Sequence, residues 1–201
     1  MRIKSGLAAA AVASVLAVAS AKAEGPSAWR VTRGDVRVIC PLTVGGSFDA
    51  RTSAVRGTLT LTTPSPAALA GELAVDLKTL DTGIGLRDEH MREQYLETGK
   101  GEGFDTAVLS EIRLPEAGPG FSGRTRFTGT LLLHGTRHPV SGQAEIRREA
   151  GGAVRVDASF PVVLADYGIA TPRYLGVGVK DEVQVRTSMT ASPGGVAAVD
   201  R

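Results

Sequence analysis

The segment LDTGIGLRDEHMREQYLE (residues 80–97) interrupts a chain whose other segments alternate between apolar and polar residues. It begins with turn-forming residues and then continues without Gly or Pro beyond Gly85. Asp88 precedes Arg92 by four residues, an order that favours an ion pair on the surface of a helix. A single short helix within an all-β chain can plug the end of a barrel or cover a cavity. We therefore predict one short lid helix near residues 86–97.

The rest of the chain has the pattern of half-buried β-strands. Apolar residues recur at every second position in about eight runs, of which residues 154–162 form the longest. Turn signals such as Gly45-Gly46 and residues 115–120 separate the runs. Sequential hairpins favour an all-β fold, a single extended antiparallel β-barrel of about eight strands. A β-sandwich is the alternative, because patterning alone does not decide closure.

The predicted interior is aliphatic and nearly free of charge. A barrel of about eight strands is either filled by side chains or holds one small ligand. An apolar interior suits a ligand that is apolar along most of its length. The same pattern also describes a packed core, so the residues leave both possibilities open.

The N-terminus predicts export. Arg2 and Lys4 precede an apolar run at residues 7–19, which is followed by the A-x-A site Ala21-Lys22-Ala23. The apolar run is too short to span a bilayer. We expect a signal peptide at residues 1–23, cleavage after Ala23 and a soluble protein in a bacterial periplasm.

The predicted mature chain has one barrel domain and little net charge. The domain covers residues 24–190, and the aperiodic tail 191–201 is predicted to be disordered. Loss of three basic residues with the signal peptide changes the formal net charge from +2 to −1. The sequence shows no basic patch that would predict a nucleic-acid or anionic-membrane partner. Cys40 has no intramolecular partner for a disulfide and is predicted to be a small buried hydrophobe, although a homodimer joined through it is possible.

Four separate stretches resemble motifs of the YceI family. The segment from Leu80 to Leu96 resembles the central motif, and residues 127–140 resemble a "G-x-L-x-x-H-G-x-x-x-P-V" hairpin. Residues 160–169 are similar to the late strand with its D-[FY]-G-I corner, and residues 174–183 to the closing strand. The resemblance extends over about residues 29–190 in the expected order. One departure is the glycine-rich loop 99–107, which lacks the proline common in the family and leaves the shape of the tunnel mouth open.

The resemblance implies a function as well as a fold. It implies a lipocalin-like barrel, secreted in Gram-negative bacteria, that encloses a polyisoprenoid chain in an apolar tunnel. Members resemble binding or carrier proteins rather than enzymes, so we expect a bound isoprenoid lipid and no cofactor or metal. The head group could belong to a quinone, an alcohol or a phosphate.

The expected tunnel wall and lid consist of large apolar residues. They are Phe48, Leu80, Leu86, Met91, Tyr95, Leu96, Phe104, Phe127, Leu131, Phe160, Tyr167 and Tyr174. Each could equally be an ordinary core residue. Arg87, Asp88 and His90 are candidates to contact the head group, because Arg suits phosphate; an ion pair at the helix entry is the simpler interpretation.

Catalytic and metal-binding signals are weak. The chain has no G-x-S-x-G, H-E-x-x-H or phosphate-loop motif. His134 and His138 lie on a predicted hairpin turn, where a histidine bonded to the backbone is the simplest interpretation, and His90 would have to approach them to form a metal site. The alternative functions are an enzyme or stress factor with a polar mouth of Arg87, Asp88, His90 and His138, and an interaction module that binds through its lid helix.

Overall fold

The computed structural model describes residues 28–64, 67–117, 120–174 and 176–194. The predicted signal peptide and residues 195–201 of the predicted tail lie outside the described residues. Within the described ranges the chain forms eleven strands. They are β1 (Ala28–Pro41), β2 (Ser47–Thr52), β3 (Val55–Pro64), β4 (Ala67–Asp76), β5 (Thr106–Leu114), β6 (Gly123–Leu133), β7 (Thr136–Arg148), β8 (Val154–Val163), β9 (Arg173–Tyr174), β10 (Val177–Gly178) and β11 (Glu182–Pro193).

The long strands form a closed, eight-stranded antiparallel barrel. β3 to β8 each pair with the next strand along the chain, β8 pairs with β11, and β11 returns to pair with β1 from Trp29 to Ile39. β2 and β3 pair with different halves of β1 in the same antiparallel sense, so together they serve as one barrel strand. The short β9 and β10 form a separate hairpin. The predicted all-β barrel is confirmed, and the chain does not adopt the alternative β-sandwich.

A helix and four short 3₁₀ turns connect the strands. Helix α1 (Gly85–His90) continues as a wider turn through Met91–Tyr95, in which the N–H of Leu96 donates to the carbonyl of Met91 at 2.9 Å. The predicted single short helix is thus confirmed. The 3₁₀ turns are Leu77–Thr79, Thr98–Lys100, Ala150–Gly152 and Leu164–Tyr167.

The last strand is longer than the sequence pattern indicated. β11 continues to Pro193, three residues into the segment predicted to be disordered. Ala191 pairs with Val31 of β1 and with Val154 of β8, so backbone pairing with both neighbours holds this end of the strand in the barrel. The alternation of apolar and polar residues does not reveal this pairing, because backbone groups rather than side chains form it.

One closely packed part of the barrel wall lies between β6, β7 and β8. The rings of Phe127 and Phe160 meet edge to face, with their centroids 5.7 Å apart. Gly142 of β7 lies against both rings, since a Cβ atom placed there would lie 2.7 Å from Phe160 Cβ and 2.8 Å from Phe127 Cε1 and would overlap the carbonyl of Ser159. This position therefore requires glycine for space rather than for backbone freedom.

We predict that Gly142→Ala lowers the free energy of unfolding by about 1–3 kcal/mol, because the added methyl group overpacks the wall. Urea denaturation of the protein measures the change. Gly99→Ala is the matched control, because a methyl group at residue 99 would meet no atom within 4 Å and the φ of Gly99 is not positive. Equal stability of the two variants would contradict the prediction.

Candidate functional site: a lidded apolar cavity

The barrel encloses a cavity of about 1210 Å³. Inward-facing side chains from all eight barrel strands line it, and most are Leu, Val, Ile or Ala. Its polar lining residues are few: Ser47, Arg87, His90, Gln94, Arg148, Arg173 and Thr187. The cavity can therefore accommodate a large apolar group with a polar group near one end.

The cavity is long as well as large. Trp29 and Cys40, near opposite ends of β1, both line it. At a rise of about 3.3 Å per residue, the strand between them spans roughly 36 Å. At the far end the indole N–H of Trp29 donates to the carbonyl of Gly152 at 3.4 Å, and Arg148 donates to the carbonyl of Phe121 at 3.3 Å.

Small inward side chains explain why the barrel is hollow. Leu109, Val156 and Val185 point inward against the buried core, yet each is only partly buried because one side faces the cavity. Aromatic residues make up only 4% of the sequence, so few rings are available to fill the interior. A barrel of this strand number holds either side chains or one ligand, and here the residues leave room for the ligand.

Helix α1 and the following turn cover the opposite end of the cavity. Met91, Tyr95 and Leu96 line the cavity and pack against the core. The guanidinium of Arg87 lies 4.3 Å from the centroid of the Phe48 ring, a cation–π contact between the lid and β2. Leu86 lines the mouth and is 63% exposed.

Asp88 stabilises the loop that precedes the lid by hydrogen bonding to Thr82. Its Oδ1 accepts hydrogen bonds from the N–H of Thr82 at 2.8 Å and from the Thr82 hydroxyl at 2.6 Å. Burial acts to raise the pKa of Asp88, but these hydrogen bonds outweigh it and hold the pKa below its ordinary value. The predicted Asp88–Arg92 ion pair does not form at salt-bridge distance, because Arg92 instead donates to the carbonyl of Lys78 at 2.9 Å.

A histidine at the β6–β7 turn stabilises the other end of the lid by bonding to Glu97. His134 has one ring nitrogen 3.0 Å from the carbonyl of Tyr167 and the other 2.9 Å from Glu97 Oε2. Glu97 and His134 both have positive φ, at 49° and 50°. The Lys100 ammonium lies 2.7 Å from the Glu97 carboxylate and lowers the pKa of Glu97. His134 thus has the backbone-bonding role expected of a turn histidine.

Most of the predicted tunnel residues line the cavity. They are Phe48, Leu80, Leu86, Met91, Tyr95, Leu96, Phe127, Leu131 and Phe160. Arg87 and His90, two of the three candidates for the head group, also line it at the lid end. The strand residues line the cavity because they occupy the inward-facing positions of their strands. The lid residues line it because they lie on the side of the lid that faces the barrel.

Three predicted residues lie elsewhere. Phe104 is outside the lining and packs its ring 4.7 Å from that of His134. Tyr167 is only 2% exposed and packs against His138, also away from the cavity surface. Asp88 bonds to Thr82 instead of facing the cavity. The side chain of Tyr174, also predicted to line the tunnel, lies outside the described residues.

Sequence reasoning missed several lining residues. Trp29 and Arg148 lie at the far end of the cavity, while Gln94 and Arg173 lie near the lid. Strand parity could have found Arg148, because it continues the inward series Ala144 and Ile146 of β7. Arg173 had no such signal, since its position depends on how the β9–β10 hairpin folds over the barrel end.

Cys40 is the only thiol and lines the cavity near the lid. Burial raises its pKa to about 11, with a smaller contribution from the Asp49 carboxylate. The thiol is therefore almost entirely protonated at neutral pH, and it behaves as a small apolar wall residue.

The four side chains of the alternative polar site do not form one constellation. Arg87 and His90 line the mouth, Asp88 is bonded to Thr82, and the ring of His138 lies 5.2 Å from that of Tyr167. Among the described residues, no cluster of three or more His, Cys, Asp or Glu side chains has the geometry of a metal site. No described helix is long and apolar enough to cross a membrane.

A closed barrel around an apolar cavity, covered by a helical lid, defines a lipocalin-like class of hollow barrels. Within that class, the family model described as a YceI-like domain matches residues 29–191. The chain belongs to the YceI-like family. No curated protein matches the sequence.

Solved structures support the same fold. A polyisoprenoid binding domain from Saccharophagus degradans, implicated in plant cell wall breakdown, superposes with a TM-score of 0.62 at 16% identity, covering 84% of this chain and 99% of that one. BcnA from Burkholderia cenocepacia gives a TM-score of 0.62 at 16% identity, covering 79% of this chain and 96% of that one. At these identities the likeness concerns the fold.

We predict that Asp88→Ala lowers the free energy of unfolding by about 1–3 kcal/mol, because two donors on Thr82 lose a charged acceptor. Asp88 contributes to the free energy of unfolding above about pH 4, because the folded state stabilises its ionised form. This contribution is lost as the pH falls through the lowered pKa of Asp88 in the folded protein. Urea titrations at pH 7 and pH 3 measure both effects. Glu89→Ala is the control, since Glu89 is exposed and accepts no described hydrogen bond. An equal loss at both pH values would contradict the electrostatic part of the prediction.

Proposed function

We propose that the protein binds and carries a polyisoprenoid or a similar long-chain amphiphile in the barrel cavity. The observation that carries this proposal is the continuous apolar cavity of about 1210 Å³ that extends from Trp29 to the lid. Pockets for drug-sized ligands have volumes of about 300–1,000 Å³, so this cavity suits a longer molecule. Its polar lining is too sparse to bind a sugar or a peptide along its length.

The lid end suits the polar end of such a ligand. Arg87, His90 and Gln94 extend from the lid helix and its following turn, and Arg173 extends from the neighbouring hairpin. Two guanidinium groups favour an anionic head group such as a phosphate, while His90 and Gln94 could bond to a quinone or an alcohol. The head group would therefore lie at the mouth and the chain would extend toward Trp29.

A structural neighbour and the N-terminal sequence support the ligand class and the export that this proposal includes. One structural neighbour is described as a polyisoprenoid binding domain, which supports the same ligand class here. The basic, apolar and A-x-A segments of residues 1–23 support export to a periplasm with cleavage after Ala23. A binding role requires none of the catalytic motifs that the sequence lacks.

Native mass spectrometry of the mature protein, purified from the periplasm, tests the proposal directly. We expect an adduct whose extracted mass fits an isoprenoid series. The variant Ala158→Phe narrows the middle of the cavity, so we expect it to lose the adduct. Ser159→Phe places the same ring at the next residue of the strand, which does not line the cavity, and serves as the control. An apo mass for the unmodified protein, with no rise in Tm when isoprenoids are added, would contradict the proposal.

Cys40 provides an internal probe of occupancy. With a pKa of about 11, only about one thiol in a thousand is ionised at pH 8, so we expect modification by a thiol reagent to be about a hundredfold slower than in urea. Bound isoprenoid should slow it further, because Cys40 lines the cavity. Stopped-flow measurements on the loaded and delipidated protein give both rates. The same rate in both forms would place the ligand away from Cys40.

A further inference from the structure

A group of exposed arginines occupies one side of the barrel. Strand register places Arg186 of β11 and Arg51 of β2 directly opposite Arg37 of β1. Like charges that face each other across strands are destabilising, so this arrangement does not serve the stability of the barrel. We name this side the β1 basic face. Its arginines are Arg30, Arg33, Arg37, Arg51, Arg56 and Arg186.

Few acidic groups neutralise the β1 basic face. Asp49 is shared by Arg37 at 2.6 Å and Arg51 at 2.8 Å, and the bonds from these two arginines lower its pKa. Asp35 is the other acidic residue on this stretch of β1. Within the described ranges, the other four arginines of the face form no salt bridge. The sequence did not predict this patch, because its members come from four strands and the net charge of the mature chain is −1.

The three large exposed hydrophobic residues of the described chain lie at the lid end beside this face. Val44 is 68%, Ile84 49% and Leu86 63% exposed. We name these three residues the apolar tip. Val44 lies in the turn between β1 and β2, where Leu42 N–H donates to the carbonyl of Gly46 at 3.0 Å.

Backbone and side-chain contacts join the apolar tip to the β1 basic face. Arg51 and Asp81 exchange backbone hydrogen bonds of 2.8 and 2.9 Å, three residues before Ile84. Arg87, next to Leu86, stacks on Phe48 of β2. The acidic residues Asp81 and Glu89 lie near the tip in sequence and offset the charge of Arg87, so most of the electrostatic attraction comes from the β1 basic face.

We propose that this combined surface docks the protein on an anionic lipid membrane. The apolar tip enters the boundary between head groups and acyl chains, and the three arginines of the β1 basic face that lie nearest the lid, Arg37, Arg51 and Arg186, bind lipid phosphates. The proposal rests on the function proposed above, because Ile84 and Leu86 also line the cavity mouth and docking would bring that mouth to the bilayer that supplies the isoprenoid. A nucleic acid or acidic protein could use the arginines, but neither would bury an apolar tip at the mouth.

Sedimentation of the full mature protein with vesicles tests the docking. We expect binding to vesicles rich in phosphatidylglycerol, little binding to phosphatidylcholine vesicles, and release as salt rises. The variant Arg51→Gln/Arg186→Gln retains the Arg37–Asp49 ion pair and should lower the partition coefficient by about 30-fold. Val44→Ser, which removes an apolar contact outside the cavity lining, should lower it by about tenfold.

The matched control is Arg113→Gln/Arg126→Gln, which removes two exposed charges, one of them ion-paired, from β5 and β6 on the opposite side of the barrel. It should bind vesicles like the unmodified protein. Equal losses of binding in both double variants, or equal binding to neutral vesicles, would overturn the proposal. So would heparin binding without vesicle binding, which would assign the face to another polyanion. Thermal melting establishes that each variant folds.

Two readouts separate this proposal from the function on which it rests. Native mass spectrometry of each variant reports retained lipid independently of vesicle binding. Retained isoprenoid without vesicle binding would overturn the docking alone. Vesicle binding by a protein that takes up no isoprenoid would overturn the carrier function and leave the surface as a membrane contact.

Discussion

Pairing of β1 with β11 closes the sheet, and the interior depends on that closure. Ten residue pairs join the two strands, from Trp29 with Pro193 to Ile39 with Gln184. Closure removes the free edges of the sheet and brings the inward side chains of all eight strands around one axis. Because those side chains are mostly aliphatic, the axis remains a cavity instead of a packed core.

The lid is held at both of its ends by polar contacts, while its underside is apolar. Asp88 holds the entry loop through Thr82, and Glu97 holds the exit through His134. Between them, Met91 and Leu96 contact the cavity. Polar contacts at both ends and apolar contacts between them would allow the lid to move for the proposed ligand while the barrel wall remains folded.

The proposed isoprenoid binding and the proposed membrane docking use opposite surfaces of the same strands. Along β1, Val36, Val38 and Cys40 face the cavity, whereas Arg37 faces the outside among other arginines. The inner face would hold the isoprenoid chain, and the outer face would hold the membrane that supplies it. The alternation of side chains across a strand allows both roles within one segment of sequence.

The sequence by itself determined the strands, the single helix and the apolar inward parity, because period-two patterning and turn residues act locally. It also identified Phe127 and Phe160 as wall residues from their parity. Only the tertiary structure decided that the interior is hollow, that Asp88 bonds to Thr82, and that Arg173 reaches the mouth. It alone gathered Arg37, Arg51 and Arg186 into one face. These features depend on strand register and closure, which join residues far apart in the chain and leave no local pattern.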